Sequence, residues 1–68
     1  MRIKIFLEKE NKRRIMEIPK GQTIESALRK LGINPQTVIV VKNGEVVPEQ
    51  DCLGNGDELK ILSVKLGG

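Results

Sequence analysis

A single amphipathic helix stands among segments of period two, and this most narrows the folds open to the chain. Ile24, Ala27, Leu28 and Leu31 recur at i, i+3, i+4 and i+7, with Glu25, Ser26, Arg29 and Lys30 largely on the opposite side, so one apolar stripe must find a sheet to cover. Thr23 is placed to accept a hydrogen bond from a first-turn N–H, and Glu25 sets negative charge against the positive end of the helix dipole. Gly32 supplies the left-handed residue that stops the helix, with Arg29 and Lys30 in its last turn and Pro35 beyond it.

The remaining segments read as strands. Ile3, Ile5 and Leu7 alternate with Arg2, Lys4 and Phe6, which puts three aliphatic side chains on one face. A short polar link, Glu8 to Lys12, leads to a second strand from Arg13 to Ile18, and Pro19-Lys20-Gly21 ends that hairpin. Thr37-Val38-Ile39-Val40-Val41 is β-branched at every position, which disfavours helix and suits a strand with both faces at least partly covered. Asn43-Gly44 gives the positive φ angles of a type I′ turn, Val46 and Val47 form a short return strand, and Pro48 closes it. A turn-rich stretch with one apolar anchor, Leu53, then leads through Asn55-Gly56-Asp57 into the last strand, from Glu58 to Val64. The order β-β-α-β-β-β implies an α+β roll, a mixed sheet with one helix packed on one face. It predicts one domain over residues 1–64 and a flexible tail over 65–68.

Size and composition limit what such a roll can do. At 68 residues there is room for one core and not for a two-domain enzyme. With one cysteine and no histidine, neither an intramolecular disulfide nor a structural zinc site can be assembled, so regular packing must hold the fold. The same counts remove the usual general base and any thiol–imidazole pair, and Phe6, the only aromatic, offers no stacking platform. No catalytic residue and no metal site is assigned, and the chain is expected not to be an enzyme. Its opening residues alternate charge and apolarity and run into Glu8-Lys9-Glu10, without the apolar region of a signal peptide or a membrane span. A cytoplasmic monomer is the expectation.

Gly67 and Gly68 lie beyond the final strand, with no turn to make and no helix to cap. The order and spacing of Gly21-Gln22-Thr23, the helix through Leu31-Gly32, Val40-Val41-Lys42-Asn43-Gly44, Gly56-Asp57-Glu58 and Gly67-Gly68 resemble the β-grasp, ubiquitin-like sulfur carriers and modifiers. That group comprises the MoaD and ThiS carriers, the ubiquitin-related modifier of eukaryotes and the small archaeal modifier proteins. The resemblance spans all 68 residues. It implies a protein that acts as co-substrate: an E1-like enzyme, consuming ATP and Mg²⁺ that this chain does not bind, would convert the Gly68 carboxylate to an adenylate. A sulfurtransferase would then yield a thiocarboxylate, from which a downstream synthase passes sulfur to thiamin, molybdopterin or tRNA; in protein modification, a target lysine would take the acyl group as an isopeptide. The tail, Leu66, Gly67 and Gly68 after Lys65, departs from MoaD tails in lacking their proline-containing lead.

Elementary chemistry accounts for such an ending. An α-carboxylate with a pKa near about 3.5 is ionised and unreactive at neutral pH, so it must be activated before a nucleophile can attack. About four extended residues could carry it roughly 13 Å from the body into a narrow site, and glycine lets an enzyme backbone approach closely. Alternation places Phe6, Leu62 and Val64 opposite the helix, an exposed apolar cluster rimmed by lysines that with Lys65 would dock the adenylating enzyme, or else packs against neighbouring loops. Cys52 follows an acidic turn with no His, Lys or helix N-terminus evident nearby, and is read as structural or incidental. Lys12-Arg13-Arg14 keeps an alternative open, a β-grasp module that binds RNA or protein and whose glycine end is incidental. The charge excess of +3 is small, however, and basic residues at a hairpin more often guard a sheet edge, so nucleic acid is not the expected partner.

Overall fold

The computed structural model describes residues 1–64. The proposed tail, Lys65, Leu66, Gly67 and Gly68, lies outside the described residues. Five strands, β1 (Arg2–Leu7), β2 (Lys12–Glu17), β3 (Val38–Lys42), β4 (Glu45–Val47) and β5 (Glu58–Ser63), form one sheet in the order β2-β1-β5-β3-β4. Helix α1 (Ile24–Lys30) crosses between β2 and β3. The β1–β5 pairing is parallel and the other three are antiparallel, so the sheet is mixed. This is the β-grasp arrangement, with one helix on one face.

Alternation decides which side of each strand is dry. Ile3, Ile5, Val40, Leu59 and Ile61 point towards the helix and join Ile24, Ala27, Leu28, Ile18 and Leu53 in one buried cluster. Buried polar or charged residues are absent among the described residues, so the core rests on apolar burial alone. Leu53, the anchor expected in the turn-rich stretch, is buried within it.

The helix ends are closed by local caps and, at the start, by carbonyls of a distant loop that only the folded chain brings there. Thr23 Oγ1 accepts from Ser26 N at 3.2 Å, while Ile24 N donates to Asp51 O at 3.0 Å and Glu25 N to Glu49 O at 2.9 Å. Three first-turn donors that an isolated helix leaves open are thereby satisfied, and the 49–53 loop is fastened over the helix start. At the other end Gly32, at φ +75°, lets Gly32 N bond Arg29 O and Ile33 N bond Leu28 O, the paired bonds of a Schellman motif.

Three local expectations are corrected. Thr37 belongs to a 3-10 turn over Pro35–Thr37, capped by the Asn34 side chain on Gln36 N, and β3 begins at Val38. The polar link after β1 is a 3-10 turn, Glu8–Glu10, closed by Asn11 at φ 51°, and β2 starts at Lys12. β3 is covered on the helix side only: Ile39 is 40% exposed because no second layer among the described residues lies over the other face of the sheet.

Candidate functional site

The chain reaches Val64 from the middle of the sheet. β5 is hydrogen-bonded on both sides, to β1 and to β3, with Ser63 opposite Val38, and Val64 N donates to Thr37 O at 3.0 Å. The last described residue is thus held at the root of the predicted tail. Leu62 and Val64 line a depression there with Glu8, Lys9, Thr37 and Ser63.

The face opposite the helix is built from residues of the other parity. The strand registers bring Arg13, Phe6, Lys60, Val41 and Val46 into one row across all five strands. Its charges are largely paired: Arg2 with Glu17 at 2.8 Å, Lys4 with Glu58 at 4.0 Å and Lys60 with Glu8 at 3.7 Å. All are exposed, so each contributes little to stability. Apolar side chains lie between these pairs, with Val46 at 72% and Ile15 at 64% exposure.

Phe6, Leu62 and Val64, the docking residues expected from sequence, are each half-buried. Phe6 lines a groove with Lys4, Arg13, Ile15, Val41 and Lys60, whereas Leu62 and Val64 line the depression at the sheet end. The structure therefore places them in two hollows rather than one exposed cluster. Ile15, Ile39, Val41 and Val46 were missed as members of this face. Parity within each strand was visible, but which parity faced outward depended on pairings that the sequence does not display.

A polar node lies at the opposite end of β5. Asn43, at φ 50° in the β3–β4 turn, donates from Nδ2 to Asp57 Oδ1 at 3.0 Å and accepts from Glu58 N at 3.0 Å, while Asp57 Oδ2 accepts from Gly54 N at 2.7 Å. These contacts hold the Asp57 carboxyl below the usual carboxylate range, the Gly54 N–H contributing most, then the Asn43 amide, with the nearby Lys42 charge adding to them against partial desolvation. Lys42 reaches Asp51 at 2.5 Å and donates to Cys52 O at 3.2 Å. Its ammonium pKa is raised, first by the hydrogen bond to Asp51 and then, against some desolvation, by that carboxylate's charge.

The surroundings of Cys52 need correction on this point. A lysine does sit beside it, and Cys52 bridges to Thr23, the residue that caps the helix. Lys42 is engaged by the Asp51 carboxylate and the Cys52 carbonyl, so the node reads as a structural clasp. Among the described residues there is no acidic, His or Cys cluster able to hold a metal, and no helix is long and apolar enough to cross a membrane. Lys12, Arg13 and Arg14 all lie exposed on the outer strand β2.

Comparison with known proteins places this geometry in context. The ThiS family model matches residues 3–68. The sulfur carrier protein TtuB of Thermus thermophilus is 32% identical over 56 residues, covering 82% of this chain and 86% of that protein. An uncharacterized protein of Archaeoglobus fulgidus is 46% identical over 48 residues, 71% of this chain and 70% of the other. In fold, the crystal structure of SAMP1 from Haloferax volcanii superposes with a TM-score of 0.77 at 19% identity, both chains being covered in full.

Proposed function

The chain belongs to the ThiS family of ubiquitin-like sulfur carriers, and from that premise we propose that its Gly68 carboxylate is the group that is activated and carried. Members of this family are carriers rather than enzymes, and the family implies an E1-like activating partner. In the proposed cycle the Gly68 carboxylate attacks the α-phosphate of ATP on that partner, releasing pyrophosphate and leaving an acyl-adenylate. A persulfide sulfur of a sulfurtransferase then displaces AMP, and a thiol cleaves the resulting acyl disulfide to leave the thiocarboxylate. In the modifier branch a lysine amine displaces AMP instead, directly or through an enzyme thioester, and forms an isopeptide bond.

The observation that carries the reading is the extent of the family match, which runs through β5 and on to Gly67-Gly68. Supporting it, β5 is paired on both sides through Ile61 and on the β3 side through Ser63, and Val64 N donates to Thr37 O, so the chain is held up to Val64. Lys65 and Leu66 would serve as spacer, Gly67 and Gly68 as the part threaded into the activating site. Phe6 in its groove, and Leu62 and Val64 in the depression at the sheet end with Lys65 after them, would be two contacts for that enzyme.

Incubation with ATP, Mg²⁺ and the cognate adenylating enzyme tests the proposal through intact mass. Addition of AMP, exchange of one oxygen for sulfur, or conjugates to other proteins is the expected result, and all should vanish when Gly67 and Gly68 are deleted. Conjugation or thiolation that survives the deletion would remove Gly68 from its role.

A further inference from the structure

Strand β2 forms an outer edge of the sheet and, among the described residues, is bonded to β1 alone. Met1 and Ile18, just before β1 and just after β2, exchange both backbone hydrogen bonds, at 2.6 and 2.8 Å. Bonded and non-bonded pairs alternate along an antiparallel ladder. The inward-bonded residues of β2 are therefore Met16, Arg14 and Lys12, opposite Ile3, Ile5 and Leu7. The N–H and C=O groups of Arg13, Ile15 and Glu17 point away from the sheet and leave a row of donors and acceptors for another strand.

The side chains along this edge are chemically one-sided. Lys12, Arg13 and Arg14 are consecutive and exposed, and none forms an ion pair among the described residues. Glu17, the acid of the same strand, is already engaged by Arg2 at 2.8 Å. Ile15 sits next to the cations with 64% of its surface exposed.

We propose that β2 accepts an added strand from a protein partner, an extended acidic segment that sets carboxylates against Arg13 and Arg14 and an apolar residue against Ile15. Charge selects this occupant. A second copy of β2 paired about Ile15 would set each Arg13 against a Glu17, but Glu17 is already held by Arg2 and the two edges would gather six cations with two acids, whereas an acidic strand gains at every cationic position. Backbone bonding supplies affinity and the alternate side chains supply specificity. RNA would use the charges but neither the outward N–H and C=O groups nor Ile15. β2 lies two strands from β5, roughly 10 Å at ordinary strand spacing, so a strand added there leaves the chain end free for activation.

The test uses the full-length protein and a short synthetic peptide in which glutamates flank a central valine. Backbone amide exchange, read by NMR, should slow at Arg13, Ile15 and Glu17 on adding the peptide while Arg14 and Met16, already bonded to β1, change little. Affinity should fall about tenfold in the Arg13→Glu, Arg14→Glu double variant, and N-methylation of the peptide backbone should abolish binding. Deleting Gly67 and Gly68 should leave it unchanged, which separates this site from the carrier chemistry. Absence of binding, or binding indifferent to N-methylation and lost with added salt, would overturn strand addition. Tighter binding of an RNA oligonucleotide at the same residues would overturn it in favour of nucleic acid.

Discussion

The two faces of the sheet are built from the same strands and do opposite work. Towards the helix, Ile3, Ile5, Val40, Leu59 and Ile61 are all but sealed from solvent. Away from it, Phe6, Val41 and Leu62 are half-buried, Ile15 and Val46 are mostly exposed, and three ion pairs run between them. The helix-side face is where apolar area leaves water, and it therefore carries the fold. Wet on one side, the outer face has little stability to lose and can be given over to partners. On the proposed function that separation matters, because a docking surface doubling as core would make each encounter with an enzyme a risk to the fold.

The contrast is broken most directly on the covered side. Leu28 is fully buried, and Leu28→Ala should cost about 3 kcal/mol through lost burial and the cavity left behind. For a domain of this size that is a fall in Tm of more than about 10 °C, measurable by thermal unfolding. A change of only a degree or two would mean that the helix is not what seals the sheet.

A smaller effect is expected at the hairpin tip, where polar bonds take over from packing. Asn43→Ala loses the bonds to Asp57 and Glu58 and places alanine at a positive φ, together about 1–2 kcal/mol. Asn43→Gly keeps the backbone and loses only the bonds, so it should fall between wild type and alanine. The node also sets a pH dependence. Asp57 has a folded pKa below its unfolded value, so its stabilisation is complete above about pH 4 and is lost as the pH falls through the folded value. Lys42 is shifted upward, so its contribution is complete below about pH 10 and is lost as the pH rises through its folded value. In denaturant titrations at stepped pH, Asn43→Ala should flatten the acid limb; an unaltered limb would assign it to other carboxylates.

How much of this was legible in the sequence follows from the range of each interaction. Thr23, the Ile24–Leu31 stripe and Gly32 marked the helix because caps and periodicity act within a few residues, and Asn43-Gly44 marked its turn for the same reason. The insertion of β5 between β1 and β3 joins the last strand to the first, at opposite ends of the chain, and leaves no local trace. Ile15 and Ile39 were missed on the open face for that reason, and so was Lys42, whose reach to Asp51 and Cys52 depends on how the 49–53 loop is fastened over the helix. The root of the site was legible as the end of a strand. That β5 is a central strand, held on both sides, became clear only from the pairing.

On the open face the expected losses move from stability to partnership. Phe6→Ala removes a half-buried ring and should cost about 1 kcal/mol, while slowing adenylation by about tenfold if this face seats the activating enzyme. Kinetics and unfolding measured on the same preparation separate the two effects. Full adenylation with a lowered Tm would make Phe6 part of the fold and shift the docking surface elsewhere.

The smallest effect is expected from the ion pairs themselves. Lys60 and Glu8 meet at 3.7 Å with about half of each side chain in solvent, where water and salt screen the attraction and ordering two long side chains offsets much of it. Lys60→Gln keeps the aliphatic stem over the sheet and removes only the charge, so it should change stability by a few tenths of a kcal/mol at low ionic strength, about what exposed pairs contribute, and by less at about 0.5 M salt, where the Debye length falls below 5 Å. Unfolding of both proteins at the two salt concentrations measures the difference. A loss above about 1 kcal/mol that persisted in salt would mean that the pair is effectively desolvated, and the open face would then have to be counted with the core.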